Sequence, residues 1–366
     1  MLTWALPEKL ANLVESHLES CQNLGLILDK YQPWKYSQRE QGPELRFRIQ
    51  VKKRGNWQPK IAKGNEAKGY WLSCGTERAG VKLIDKIVEP NQKIDRALYQ
   101  EYLARWKDSL NQIGGMSFPM RNISRITLGL GSKGTLEMGI TLHHHGGFPM
   151  IPGSALKGVA RTRALYRLAE VWGIPAADNT EIQPHQKTAL QRLEQLLETA
   201  IAPDDAPHRL DELKQNLREL KEHPSVQQAR GQILNTDAST LAKNESFLRF
   251  RQIFGSQNQS GEVIFFGGMC ETVPVLVTEI MTPHYQEYYK DKDKEFPCDD
   301  NSPEPNVYLA LETGQVFWFG LAPCKPSTSP TLLKAAEKYL MMGLQELGLG
   351  AKTSSGMGLF ETILRR

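Results

Sequence analysis

Cysteine is scarce: Cys21, Cys74, Cys270, Cys298 and Cys324 stand far apart in 366 residues. No two have the close spacing of a zinc knuckle or a dithiol redox motif, so they read as reduced, structural thiols. No apolar run approaches the roughly 20 residues that a helical bilayer span requires, and no membrane association is expected. The opening MLTWALPEKLANLVESHLES lacks the basic end and unbroken apolar stretch of a secretory signal, which points to a cytoplasmic protein. An excess of one charge is also missing, since 45 Lys and Arg face 41 Asp and Glu, and a balance of +4 does not by itself imply nucleic acid. Neither G-x-x-x-x-G-K-[ST] nor a G-x-G-x-x-G between strand and helix occurs, so P-loop and dinucleotide-binding readings fall away. No cofactor is expected.

The charge is unevenly spread. Residues 44–68 hold eight basic side chains, Arg46, Arg48, Lys52, Lys53, Arg54, Lys60, Lys63 and Lys68, against Glu44 and Glu66, with Phe47 and Trp57 among them. Cations suit phosphates and flat rings suit unstacked bases; a solvated basic hairpin or partner-binding arm fits equally well.

Apolar spacing near 3.6 predicts helices over 7–30 and 93–112, the second stopped by Gly114 and Gly115. These place an N-terminal extension, helical with a basic segment, at 1–115, and a main domain at 120–366. In that domain 123–131 and 135–144 alternate like a strand hairpin. FPMIPGS then leads to a helix, ALKGVARTRALYRLAEVWG, with Ser154 expected as its N-cap. Residues 176–246 read as an inserted pair of helices with narrow leucine stripes, and 290–305 as an acidic, proline-rich loop. Strands are expected at 261–269, 272–281 and 314–322. Ser329 and Pro330 open a helix that Gly348 ends, and 357–365 form the last strand. Without the insertions the order is β, α, β, β, α, β, the ferredoxin-like or RNA-recognition-motif α+β topology.

Two motifs carry the candidate chemistry. GLGAKTSSGMG, residues 348–358, packs four glycines around Lys352, and Leu347-Gly348-Leu349-Gly350-Ala351-Lys352 repeats Leu128-Gly129-Leu130-Gly131-Ser132-Lys133. Freed backbone amides beside a lysine can cradle phosphate. Gly348 is equally explained by helix capping, and Gly356 and Gly358 by a bend. The topology is expected to bring the two copies close together. The second motif is the helix start Gly153-Ser154, with Lys157 and Arg161 four residues apart on one face, able to clamp successive phosphates; Arg163 lies just beyond. A capped helix with solvated cations is the alternative. His143, His144 and His145 offer an acid and a base for RNA cleavage or, more simply, stacking near an RNA path. In a strand no more than two of the three converge, and no Cys or Glu-x-x-His completes a metal site. Ser154 lacks the nucleophile-elbow pattern of a serine hydrolase.

RITLGLGSKGTLEMGITLHHHGGFPMIPGSALKGVAR resembles the first hairpin and helix of the RAMP superfamily of CRISPR-associated proteins. RQIFGSQNQSGEVIFFGGM resembles that family's Phe-Gly turn and second core strand, and GLGAKTSSGMGLF its C-terminal glycine-rich loop. EIMTPHYQEYY, residues 279–289, is similar to the sixth RAMP subunit of the type III-B (Cmr) effector complex. The resemblance covers 123–366 with gaps. It implies a noncatalytic subunit that binds CRISPR guide RNA near its 3′ end, beside the other RAMP subunits of the Cmr complex and only indirectly near target RNA. It places RNA contacts at Lys133, His145, Gly153, Ser154, Lys157, Arg161, Gly348, Gly350, Lys352, Gly356 and Gly358. Two other readings stand beside it. One is a metal-independent endoribonuclease that processes CRISPR RNA with His143 to His145, Lys352 stabilising the phosphorane. The other is an interaction module whose N-terminal helices recruit a protein.

Overall fold

A computed structural model of the chain describes residues 46–53, 56–63, 94–131, 139–175, 188–198, 205–219, 230–231, 233–257, 259–282 and 306–363. The expected helix at 7–30, the acidic loop 290–305 and Lys133 lie outside these residues. The basic segment forms an antiparallel hairpin, β1 (Arg46–Lys53) with β2 (Asn56–Lys63), Arg46 opposite Lys63 and Lys52 opposite Trp57. After α1 (Arg96–Gln112) come β3 (Met116–Asn122), α2 (Gly153–Val171), α3 (Ala189–Glu198), α4 (Asp205–Glu219), α5 (Ala238–Lys243) and α6 (Glu245–Phe254). A short hairpin, β4 (Gly255–Ser256) and β5 (Gln259–Ser260), precedes β6 (Val263–Cys270) and β7 (Leu276–Met281). The chain closes with β8 (Asn306–Leu311), β9 (Val316–Pro323), α7 (Pro330–Glu346) and β10 (Phe360–Thr362).

Two compact units result. The larger comprises Arg96–Gly129, Pro149–Val275 and Ala310–Arg366; the smaller holds Met1–Asp95, Leu130–Phe148 and Leu276–Leu309. The larger unit contains a four-stranded antiparallel sheet in the order β10-β3-β9-β6. Numbered along the core alone, that order is 4-1-3-2, and with α2 and α7 as the crossovers it is the ferredoxin-like α+β fold. β7 pairs with β8 in a separate ribbon.

The first core strand corrects the sequence expectation. It is Met116–Asn122, not 123–131. Ile126, Thr127 and Leu128 are buried one after another, which a strand with one solvated face does not allow, and the segment makes only one bridge, Ile126 to Leu311. The true strand alternates Phe118, Met120 and Asn122 inward, but it is short and holds Pro119 and a buried asparagine, so its periodicity is faint.

One face of the sheet packs on α2 and α7. There the Phe319 ring lies 5.9 Å from Phe118 and 5.4 Å from Phe360. The other face, which an RNA recognition motif leaves open for base stacking, is covered here by α1. A Cβ on Gly320 would sit 2.5 Å from Leu110 Cδ1 and 2.9 Å from Trp106, so only glycine lets the helix approach. Tyr99 Oη donates to Cys270 O at 2.8 Å, and Lys107 Nζ stands 3.3 Å over the Trp318 ring. Burial pushes the Cys270 thiol up to about 11, in keeping with a structural, protonated cysteine.

The expected helical pair in the insertion appears as α3 and α4. Leu193, Leu196 and Leu197 of α3 and Leu210, Leu213 and Leu217 of α4 are buried. Arg192 pairs with Glu212 at 2.9 Å across the two helices. The buried Arg230 donates to Gly173 O and Leu217 O, tying the insertion to the end of α2.

Candidate nucleic-acid interface

The glycine-rich loop is built against the segment that follows β3. Gly348 ends α7 as a C-terminal glycine should, with φ +77° and its amide donating to Gly343 O. Beyond it Ala351 N donates to Thr127 O at 2.8 Å, Gly358 N to Arg125 O at 2.9 Å and Leu359 N to Ser124 Oγ at 2.9 Å. The second copy of the repeated motif therefore meets the start of the first, Gly350 lying on Thr127 and Leu128 and Ala351 on Thr127. Gly350 has φ +96° and its Cβ would fall 2.3 Å from Thr127 O; Gly358 has φ +80° and its Cβ would fall 2.0 Å from Leu349 O. These two glycines are required by close backbone approach.

Lys352 is the single non-glycine residue with positive φ among the described residues, at +59°. It caps a 3-10 turn, Thr353–Ser355, and its carbonyl accepts from Ser355 N and Met357 N. Ser354, Ser355 and Gly356 are exposed at the tip. As at any helical start, the leading amides of Thr353 and Ser354 precede the turn's own hydrogen bonds. A short polar turn with αL residues on either side is the type of concavity that receives an anion.

Arg125, adjacent to the first motif copy, braces this loop from beneath. Its carbonyl holds Gly358, while its guanidinium meets Glu312 in a two-pronged ion pair, Nε–Oε1 at 3.2 Å and Nη2–Oε2 at 3.3 Å. The Thr313 amide and the Arg125 guanidinium hold the Glu312 carboxyl below its usual range. A depressed pKa stabilises the folded state above the ordinary glutamate range, and that contribution is lost as pH falls through the lowered value. Urea midpoints measured through this acid window are expected to fall less for Glu312→Gln than for wild type; equal slopes would remove the pair from the acid response.

The helix start departs from expectation in two ways. The N-cap is Pro152, at φ −65° and ψ 140°, not Ser154, and it offers no side-chain oxygen. The bridge from Ile151 to Gly268 and the contact of Gly153 with β6 set the turn two residues early; a Cβ on Gly153 would lie 2.0 Å from Phe265 O. Ser154 is exposed in the first turn. The second departure concerns the expected clamp. Arg161 is turned onto the insertion, where Glu194 and Glu198, four apart on α3, take its two terminal nitrogens, the latter at 2.7 Å. Arg163 is buried and pairs with Glu346 at 2.6 Å. Lys157, half-buried, has no ion pair among the described residues and remains the open cation of this helix start.

The topology sets helix start and glycine loop at one end of the core. α2 and α7 run antiparallel in this fold and cross where a Gly343 Cβ would touch Val159. Stepping back along α2 to Gly153 and forward along α7 to Gly348 therefore leads in the same direction.

The histidines sit in a turn rather than a strand: His143 N donates to Phe148 O at 2.7 Å and Gly147 N to His143 O at 2.8 Å. The His143 ring stacks on Phe148 at 4.8 Å and its Nδ1 accepts from Gly146 N, while burial and the neighbouring His145 and His144 lower its pKa. That ring is a structural part of the turn. His145 is exposed in the smaller unit. Among the described residues no group of His, Cys, Asp and Glu could hold a metal ion, and no helix is long and apolar enough to cross a membrane.

Sequence reasoning missed Arg125 and the buried Asn122. The Asn122 side chain donates to Ser124 O and Glu312 O and accepts from Gln315 N, fastening the end of β3 to the β8–β9 turn. No motif marks either residue; the one available signal was the repeated Leu-Gly-Leu-Gly that follows them.

Fold and site together define a ferredoxin-like α+β protein whose sheet is closed on both faces and whose open polar chemistry sits on end loops. The chain belongs to the RAMP superfamily, whose family model matches residues 120–361. It is 28% identical over 273 residues to the CRISPR system Cmr subunit Cmr6 of Pyrococcus furiosus, covering 71% of this chain and 72% of that protein. The crystal structure of Cmr6 from Pyrococcus furiosus matches with a TM-score of 0.39 at 24% identity, over 68% of this chain and 98% of that one. A chain in the cryo-EM structure of the Type III-B Cmr-beta bound to cognate target RNA matches with a TM-score of 0.44 at 17% identity, over 79% of this chain and 73% of that one.

Proposed function

We propose that this chain is a noncatalytic RAMP subunit of a type III-B (Cmr) CRISPR effector complex, binding guide RNA near its 3′ end beside other RAMP subunits. The similarity to Cmr6 supports the assignment to that complex. The observation that carries the RNA reading is the glycine-rich loop, anchored by main-chain bonds to Arg125 and Thr127 so that its tip stays polar and exposed. With α1 over the sheet face, sequence-independent grip on phosphates falls to this tip, to Lys352 and to the α2 start with Lys157. Arg161 serves by holding the insertion against α2. Residues 1–95, which precede α1, form in this reading a module for neighbouring subunits.

Native purification of the tagged chain from its own cells tests the assignment: short RNAs sharing a repeat-derived 5′ end and other RAMP proteins are expected to co-purify, and a lone protein without RNA would overturn it. Lys157→Ala is expected to weaken guide binding and make its salt dependence shallower by about 0.7 in log–log slope, one phosphate contact on a single strand. Unchanged affinity would remove Lys157 from the interface. Guide precursor left intact by the wild-type chain is expected; its cleavage, lost when His143, His144 and His145 all become Ala, would replace the noncatalytic reading.

A further inference from the structure

The helical layer carries a second polar feature, at the end of the core away from the glycine loop. Arg167 from the last turns of α2, Arg249 from α6, and Lys334 and Lys338 from the first half of α7 line one concave pocket of about 570 Å3 together with Tyr339 and Met342. Four cations from three helices thus converge around an aromatic ring. That volume lies within the roughly 300–1,000 Å3 of small-molecule sites and suits a single nucleotide.

The cations are available. Arg167 pairs with Glu170 at 3.0 Å, Lys334 with Glu337 at 3.1 Å and Arg249 with Glu245, each within its own helix. None of these carboxylates lines the pocket. Ion pairs of this type on solvated helix faces contribute little and are screened by salt, so a ligand phosphate can take the place of the carboxylate. Lys338 has no ion pair among the described residues. Tyr339 is held from behind by Phe254, ring centroids 6.5 Å apart, and is half-buried.

An acidic peptide would need the cations alone. The ring and thioether inside a cationic rim, and two guanidinium forks suited to phosphate, favour a ligand with a flat base and phosphate esters. We infer that this pocket is a second RNA site, holding one nucleotide of a single strand with its base on Tyr339 and its flanking phosphates on Arg167, Arg249, Lys334 and Lys338. The inference takes from the proposed function only the choice of RNA as ligand; the site itself is separate from the glycine loop.

Fluorescence anisotropy of the full-length chain with a short labelled oligouridylate, over a series of salt concentrations, tests it. Arg249→Gln with Lys338→Gln is expected to weaken binding at least about tenfold and to make the salt slope shallower by about 1.4, two phosphate contacts. Tyr339→Leu, checked for an unchanged melting temperature, is expected to weaken binding several-fold with the slope unaltered, a signature of stacking. Wild-type affinity in these variants, with Lys157→Ala weakened, would overturn the pocket and leave the glycine-loop reading intact; the reverse pattern would do the opposite. Excess adenosine monophosphate is expected to compete with the RNA in the Lys157→Ala background, and RNA binding indifferent to it would overturn the seating of a nucleotide in the pocket.

Discussion

Gly358→Ala is expected to unfold the end of the core, lowering stability by about 4 kcal/mol or more, among the largest effects of a point change. Two terms act together. The residue sits at φ +80°, where an L side chain is strained, and the new Cβ would lie 2.0 Å from Leu349 O and 2.6 Å from Leu349 N, backbone atoms that cannot rotate away. Relief requires breaking the bond from Gly358 N to Arg125 O, which fastens the loop to the segment after β3, and the bond from Leu349 N to Gly358 O, which closes the loop on itself. Gly356→Ala is the control. It has a similar φ of +83° but nothing within 4 Å of its Cβ. Only the left-handed strain remains there, about 1–2 kcal/mol. Urea denaturation of both variants measures the difference; equal losses would mean that conformation alone, and not the packing of the loop, explains the glycines. Because Gly356 is exposed at the tip, its variant should also fold well enough to compare RNA affinity.

Asn122→Ala is expected to cost about 3 kcal/mol, since each buried polar group left without a partner costs about 1–3 kcal/mol. The side chain is fully buried and replaces, at the end of β3, the ladder bonds that the strand can no longer make. Its loss removes a donor from Ser124 O and from Glu312 O and the acceptor of Gln315 N at once. Gln315 in turn accepts from Val275 N at 2.6 Å and donates to Glu312 O, so the disturbance reaches the start of the β7–β8 ribbon. Asn122→Asp keeps the acceptor for Gln315 N but sets a carboxylate against two carbonyl oxygens, and is expected to destabilise comparably. A midpoint shift below about 1 kcal/mol in either variant would show that water takes over these groups.

The RNA contact proposed for this chain rests on where its backbone is exposed. In an open four-stranded sheet, aromatic side chains meet bases on the sheet face; here Trp318 lies under Lys107, and Gly320 under Trp106 and Leu110. Phosphate recognition by loop amides needs no side-chain code. That suits the proposed role, a grip on guides of any sequence by their backbone.

The sequence by itself determined helices α1, α2, α3, α4 and α7, the glycine-bounded end of α7 and the β, α, β, β, α, β order, because apolar periodicity is a local property of the chain. It also marked the two sites where backbone is bared, GLGAKTSSGMG and the repeated Leu-Gly-Leu-Gly, since glycine clusters are informative wherever they fall. Only the tertiary structure decided the rest. Met116–Asn122 became the first strand because it gains partners on both sides, β10 and β9, while the more regular 123–131 is spent on carrying the glycine loop. Arg161 is turned away from the expected clamp with Lys157 because Glu194 and Glu198, 33 and 37 residues away, arrive on α3. Lys157, with no such partner among the described residues, stayed open. Asn122, silent in the sequence, became a structural knot through contacts 190 and 193 residues distant. Charge pairing and close backbone approach depend on which segments meet, and that is a property of the packed chain rather than of any stretch read along it.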